Sequence, residues 1–356
     1  MNSKYWKMMT ALLSVVLLVM SCSPQVATTL PVAATTEPTD APEIETSLEV
    51  PLITSENASR LTEVDAVEAE PNIRLVWMKD SAGFWIIEYQ FARPMNVLTL
   101  QGGPVAGVNE GGRVLDASPD GSRWAYDPDG TSSLILIDPA NSDTDIIIRS
   151  MQIIGDGRFT PDGKYLLTYS MDQWQATLWD AFTGEKVEEF EGFETAAPIY
   201  AVTPGADGQT LIWHARGTLQ LQDMESGQMG STFSHEDFIT AFVLSPDGSV
   251  VATAAAGTIN GNFTPAVYWW NAASGDKLTE MNFEYPIDSL SFSPDGDLLA
   301  VASGNFVTLV SSNFKIVATL RAHDGVTGEI AFSPNGSILL TAGSEGQIKV
   351  WQVPGG

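Results

Sequence analysis

Ser245-Pro246-Asp247-Gly248 reads as a tight turn, with Leu244 before it and the apolar run Val250-Val251-Ala252 after it. Near-copies recur as Ser118-Pro119-Asp120-Gly121, Thr160-Pro161-Asp162-Gly163, Thr203-Pro204 with Asp207-Gly208, Ser293-Pro294-Asp295-Gly296 and Ser333-Pro334-Asn335-Gly336. Their prolines are 42, 43, 42, 48 and 40 residues apart. A period near 40 built from short apolar segments and turns specifies a β-propeller, in which each repeat is one four-stranded blade.

A second motif keeps the same period. Nineteen residues after the proline stands a polar turn residue, Asp138, Asp180, Asp223 or Asn313, and after Pro246 its counterpart is Asn271, 25 residues on. The six extra residues match the excess of the 48-residue spacing over 42, which puts an insertion between Gly248 and Asn271. Asp180 to Gly184, Asp223 to Gly227 and Asn271 to Gly275 read Asx-x-x-Ser/Thr-Gly, with the residue types that tight turns favour at their first and last positions. Between the turns lie short β-branched and aromatic runs such as Lys164 to Tyr169, Gln175 to Trp179 and Lys186 to Phe190, each a strand by length and bounding residues. Four such runs per repeat make a blade.

Counting back one period from Pro119 reaches Lys79, inside a degraded copy with Trp77 in the apolar slot and Asp80 in the turn, which brings the count to seven repeats. The final repeat ends after its third strand. The segment from about Arg60 to Val67 precedes the first repeat and has no blade of its own. We expect it to complete the last blade, close the ring and remove two exposed sheet edges.

Several residues carry a family likeness. Leu178-Trp179-Asp180 resembles the signature of WD40 repeats; Ile348-Lys349-Val350-Trp351 matches it with Gln352 for Asp, and Tyr268-Trp269-Trp270-Asn271 is a looser copy. Leu320-Arg321-Ala322-His323 is similar to the Gly-His element of that family, with Ser234-His235 a weaker form. The resemblance covers about residues 60 to 353; TolB-like propellers share the Ser-Pro-Asp-Gly turn but not the Trp that ends the third strand. It implies that His235 and His323, each 11 residues before a repeat proline, serve the blade by hydrogen-bonding an Asp and a Trp. Trp179, Asp180 and Trp351 are structural residues of the same kind. For His323 the Asp position is taken by Glu345, which would leave its network incomplete.

The chain has 44 acidic and 17 basic residues, a formal net charge of −27. Nucleic-acid backbones and anionic lipid surfaces both select for Lys and Arg clusters, so neither is an expected partner. Lys4 and Lys7, the apolar run Ala11 to Met20 and Ser21-Cys22 form a secretory leader too short to span a membrane. Val19-Met20-Ser21-Cys22 resembles the lipobox of bacterial lipoproteins, which implies cleavage after residue 21 and lipidation of Cys22, the only cysteine. Residues 22–59, rich in Thr, Pro and Glu, are expected to be an extended tether that cannot bury enough apolar area to order itself. Residues 60–356 form the propeller. The expected location is the bacterial cell envelope, outside the cytoplasm, with Ser23 rather than the Asp of inner-membrane retention.

Catalytic constellations are missing from the sequence pattern: no histidine pair has metal-ligand spacing, no glycine-rich phosphate loop precedes a helix, and there is no Gly-x-Ser-x-Gly elbow. We expect no metal and no cofactor. Asp116, Asp120, Asp127 and Asp129 read as ordinary turn aspartates, His214 as a sheet-surface residue, and most of the ten tryptophans as packing between blades. Trp174 and the insertion within Ala256 to Pro265, including Ile259, Asn260, Asn262 and Phe263, fall instead in turns between second and third strands. In the resembled family these turns lie on the face that binds partners, and exposed loop aromatics suit interfaces. The leading expectation is a monomeric, non-catalytic platform for a protein or peptide. Two alternatives stay open: an enzyme or small-molecule binder using the central channel, in the manner of propeller hydrolases, lactonases and quinoproteins, and an envelope-assembly component.

Overall fold

The computed structural model describes residues 50–71, 73–88, 91–96, 106–107, 112–128, 130, 132–139, 142–150, 153–170, 174–193, 198–259 and 262–355. The leader, Cys22, most of the expected tether and Asn260 lie outside them. Among the described residues the strands form seven antiparallel four-stranded sheets. Blades 1 to 6 are contiguous in sequence, with first strands Arg74–Trp77, Arg113–Ala117, Asp156–Phe159, Ile199–Pro204, Ile239–Leu244 and Ile287–Phe292. Blade 7 consists of Thr327–Phe332, Leu339–Gly343 and Gln347–Gln352, completed by Thr62–Glu68 from the start of the chain.

That completing strand runs antiparallel to Gln347–Gln352, from Thr62 opposite Gln352 to Glu68 opposite Gln347, and Lys349 Nζ pairs with Glu63 Oε2 at 3.0 Å. The ring therefore closes as the sequence predicts. First strands of neighbouring blades lie side by side around the axis. Second strands are sandwiched between blades and are largely buried: Leu298–Ser303 is buried throughout, as expected where both faces of a strand are covered. Outermost strands face water and show it, Lys186–Glu191 being exposed except at Phe190.

The four-residue turns build themselves. Ser245 Oγ donates to Asp247 Oδ1 (2.6 Å) and accepts from Val250 N (2.9 Å), while Gly248 takes a φ of 71° that an L side chain resists. The same hydroxyl-to-carboxylate bond recurs at Ser118, Thr160 and Ser293, and Ser333 makes its counterpart to the amide oxygen of Asn335.

The folded body starts earlier than expected. Ile53 and Ala58 are buried, Ile53 N donates to Gly336 O at 2.9 Å, and Ala58–Arg60 make a 3-10 turn. Ile53, Ala58 and Leu61 pack with Leu298, Trp351 and Val353 at the junction of blades 6 and 7. Residues 50–59 thus belong to the propeller, not to the tether. Local composition hid this because the apolar residues are few and their partners lie at the other end of the chain.

Candidate functional site

Antiparallel pairing sorts the turns into two faces. In blades 3, 4 and 5 the first-to-second and third-to-fourth turns lie at one end of the strands, where they bond to each other: Ala181 N to Lys164 O, Met224 N to Gln209 O, Ala272 N to Ser249 O. The second-to-third turns and the connections to the next blade gather at the opposite end, as Ile239 N to Arg216 O, Thr327 N to Gly304 O and Ser344 N to Val326 O show.

This second face carries exposed apolar groups. Trp174 is 40% exposed at a φ of 55°, Phe238 49%, Tyr285 40% and Val326 47%. Phe238 holds the Arg216 guanidinium 4.5 Å above its ring, and Tyr285 stacks on Phe306 with centroids 6.2 Å apart. The insertion is not a loop. Val250–Ile259 and Asn262–Asn271 are both ten residues long and pair from Val250 with Asn271 to Ile259 with Asn262. Their counterparts in blade 3, Tyr165–Ser170 and Gln175–Asp180, have six. Four more residues at about 3.3 Å each carry the hairpin roughly 13 Å further. Ile259, Asn262 and Phe263 lie on its tip strands. Sequence reading found Trp174 and this hairpin but missed Phe238 and Val326, although both stand eight residues before a repeat proline.

The histidines do structural work. Trp351 Nε1 donates to Thr341 Oγ1 (3.0 Å); Thr341 Oγ1 lies 2.7 Å from His323 Nε2, and His323 Nδ1 lies 2.5 Å from Glu345 Oε1. One proton arrangement satisfies the whole chain: neutral His323 gives its Nδ1 proton to the carboxylate and accepts the threonine proton at Nε2. Burial, the largest cause, holds the His323 pKa below its ordinary value, while the bond to the imidazole helps to hold Glu345 low. The network expected to be incomplete is complete, because glutamate's extra methylene spans the distance. Blade 5 repeats it without a carboxylate: Trp270 Nε1 donates to Thr253 Oγ1 (2.9 Å), which meets His235 Nε2 at 2.8 Å. Blade 3 keeps only Trp179 Nε1 to Thr168 Oγ1, 2.8 Å. Asp180 caps its turn by accepting from Phe182 N and Thr183 N. His214 is not on a sheet surface. It is wedged between the rings of Tyr200 (5.9 Å) and Phe242 (5.2 Å), where burial lowers its pKa.

Asp116 is likewise more than a turn aspartate. It pairs with Arg74 Nη2 in blade 1 (2.6 Å) and accepts from Phe159 N in blade 3 (2.8 Å). Three residues before the next-to-last repeat proline, Ser291 accepts from Phe332 N of blade 7 in the same way, 3.2 Å. Arg158 pairs with Asp156 (2.6 Å) and Arg113 with Asp127 (3.0 Å), and Arg113 Nη2 donates across to Gly155 O (2.8 Å). On the first strands of blades 6 and 7 the balance reverses. Burial raises the Asp288 carboxyl and pushes Glu329 up to about 7, against the opposing pull of Arg74 and Arg158. Both line a cavity of about 340 Å³ with Ile73, Gly328 and Ser344. Among the described residues no group of three or more His, Cys, Asp or Glu could hold a metal ion.

Residues 314–352 match the WD40 family model, "WD domain, G-beta repeat". The chain is similar to transcription factor unc-37 of Caenorhabditis elegans, 23% identical over 218 residues, covering 59% of this chain and 32% of that protein. Protein groucho of Drosophila melanogaster is 24% identical over 215 residues, 60% of this chain and 28% of that one. A WD repeat-containing protein of Synechocystis sp. is 29% identical over 199 residues, 55% and 56%. The chain spans less than two thirds of the length of each of these relatives. A chain from a crystal structure of a mitotic checkpoint complex superposes with a TM-score of 0.65 over 91% of this chain and 99% of its own, at 20% identity, a likeness of fold alone. The protein is an all-β, seven-bladed propeller carrying a WD40 repeat.

Proposed function

We propose that the protein is a lipid-anchored propeller of the bacterial cell envelope that holds a protein or peptide partner on its second-to-third-turn face, without catalysis. The observation that carries this reading is the set of exposed apolar side chains, Trp174, Phe238, Tyr285 and Val326, on that one face. Aromatic residues and arginine dominate interface energetics, and Arg216 over Phe238 supplies such a pair. Similarity to a chain solved within a mitotic checkpoint complex adds support by analogy of scaffold. The Cys22 lipobox and the acidic, proline-rich stretch after it support the anchor and stand-off; replacing Cys22 with Ser should release the protein from the membrane fraction.

The test of the platform is capture of membrane proteins by the full-length protein and by a Trp174→Ala, Phe238→Ala, Tyr285→Ala variant. Loss of about 2 kcal/mol at two such positions weakens a specific partner by 100-fold or more. Equal recovery by both proteins, or no specific partner for either, refutes the reading.

A second reading is favoured by one observation. Glu329 and Asp288, both pushed toward protonation, line a cavity on the axis opposite Arg74 and Arg158, which suits a small polar ligand in the channel. Thermal-shift and turnover assays with lactones and sugar acids, on the native protein and on Glu329→Gln, decide it; no ligand-dependent shift that the substitution abolishes means no channel site.

A further inference from the structure

Clefts under the four-residue turns differ sharply between blade junctions. At blades 5 and 6 the cleft is about 190 Å³ and is lined by Trp269 and Phe314, whose rings meet edge to face at 5.7 Å. Phe314 adopts a φ of 63° there. The same repeat positions at blades 3 and 4 are Leu178 and Met224, and without the two rings the cleft opens to about 350 Å³. It then runs into a second hollow of about 450 Å³ beside the outer strand of blade 3, Lys186–Glu191; Glu188, Met224 and Glu225 line both, so the two are one groove.

The floor of this groove is apolar, formed by Tyr165, Leu178 and Met224, and its rim carries the exposed side chains of Val187 and Met229. Its walls are acidic. Glu188, Glu191 and Glu225 make no ion pair among the described residues, and the two nearby lysines are engaged: Lys186 with Glu189 at 2.9 Å and Lys164 with Asp162 at 3.0 Å. Three unpaired carboxylates above an apolar floor repel other acidic segments of this chain and any nucleic acid, and attract a cation that brings apolar surface with it.

We propose that the groove between blades 3 and 4 is a second docking site, for an extended basic segment of a partner chain in which apolar residues alternate with lysine or arginine. The apolar side chains enter the Leu178–Met224 cleft and the basic ones reach Glu188, Glu191 and Glu225. The six-residue strand beside it spans about 20 Å, room for a peptide of similar length. The Leu178–Met224 cleft of this site is at the opposite end of the strands from the Trp174–Phe238 face, while Glu191, opposite Gln175, marks the end of the groove nearest Trp174; the peptide titration reads the groove directly and does not depend on a partner for that face.

The probe is a fluorescein-labelled hexapeptide, Lys-Leu-Lys-Val-Lys-Leu, with Lys-Ser-Lys-Ser-Lys-Ser as its polar control, titrated against the full-length protein at about 0.15 M salt to screen the general acidic field. Expected results are at least tenfold tighter binding of the apolar peptide, and a tenfold or greater loss in Glu188→Gln, Glu191→Gln, Glu225→Gln. A distant control triple, Glu236→Gln, Glu284→Gln, Asp324→Asn, should change binding less than twofold. Equal binding of the two peptides, or equal losses in the two triples, shows only attraction to a negatively charged protein and overturns the site.

Discussion

Thr341 is the residue on which the last blade's polar network turns, and Thr341→Val is the substitution that isolates its contribution. Valine has nearly the shape of threonine, so no cavity opens and the neighbours stay packed. Two buried groups lose their partner: the Trp351 indole N–H, now without an acceptor, and His323 Nε2, now without a donor. Each orphaned group costs about 1–3 kcal/mol, and the added methyl returns a fraction of this, so the expected loss is about 2–4 kcal/mol. Thr253→Val also strands an indole and an imidazole, but His235 is only half-buried and can turn to water, which reduces the cost to about 1–3 kcal/mol. Thr168→Val strands only Trp179, about 1–2 kcal/mol. Urea unfolding of the three variants, with the slope unchanged and only the midpoint moving, should rank them Thr341, Thr253, Thr168 in falling cost. A Thr341→Val protein as stable as Thr168→Val would refute the proposed chain of donors from Trp351 to Glu345.

Three further outcomes are expected. Because burial holds the Glu329 carboxyl at about 7 against an ordinary 4.5, the folded protein keeps a proton that the unfolded chain releases, and stability falls as pH rises through that window; Glu329→Gln removes the fall. At about 1.4 kcal/mol per pH unit the ceiling is near 3 kcal/mol, reduced to about 1–2 because the side chain still meets channel water, and urea midpoints at pH 5 and pH 8 measure it. His235 behaves with the opposite sign: burial and then Lys277 hold it at about 4, so the unfolded chain takes up a proton first and stability is lost as pH falls from 6.5 towards 4. His235→Gln should flatten that limb by about 1–2 kcal/mol. Ile53→Ala, in the segment that reads as tether, should cost about 2–4 kcal/mol, a loss visible in the thermal midpoint, whereas an unchanged midpoint would mean that residues 50–59 are not part of the folded body.

Much of the fold was legible because its specification is local and repeated. A turn that must place a glycine at positive φ, in five of the six near-copies two residues after a proline, admits few residue types, and these copies fix the period even where a seventh is worn. The worn copy shows how little is needed: in blade 1, Asp80 accepts from Ala82 N and Met78 N donates to Gly83 O, with Ser81 at a φ of 60° in the glycine's role. Ring closure by the leading strand followed from counting strands. The docking of Ile53 on Gly336 could not be counted, since nothing in the local pattern marks a contact between opposite ends of the chain.

The axis was illegible for a different reason. Arg74, Arg113 and Arg158 lie on three consecutive first strands, and a basic residue at such a position reads in isolation as a solvated surface charge. Closing the ring turns the three towards one another, and the like charges can be accommodated only because Asp116, Asp127 and Asp156 are placed among them. These pairs, with donors that also reach Leu115 O and Gly155 O across blade boundaries, stitch blades 1 to 3 together and leave no guanidinium there unmatched. Blades 6 and 7 bring carboxyls to the same axis that make no ion pair among the described residues, and burial raises both Asp288 and Glu329, the latter against the pull of Arg74 and Arg158. The channel is therefore divided into a half stitched by ion pairs and a half whose two carboxyls make none among the described residues. A ligand of the axis should accordingly be felt by substitutions at Asp288 and Glu329, while substitutions at the three arginines should be felt first as loss of stability.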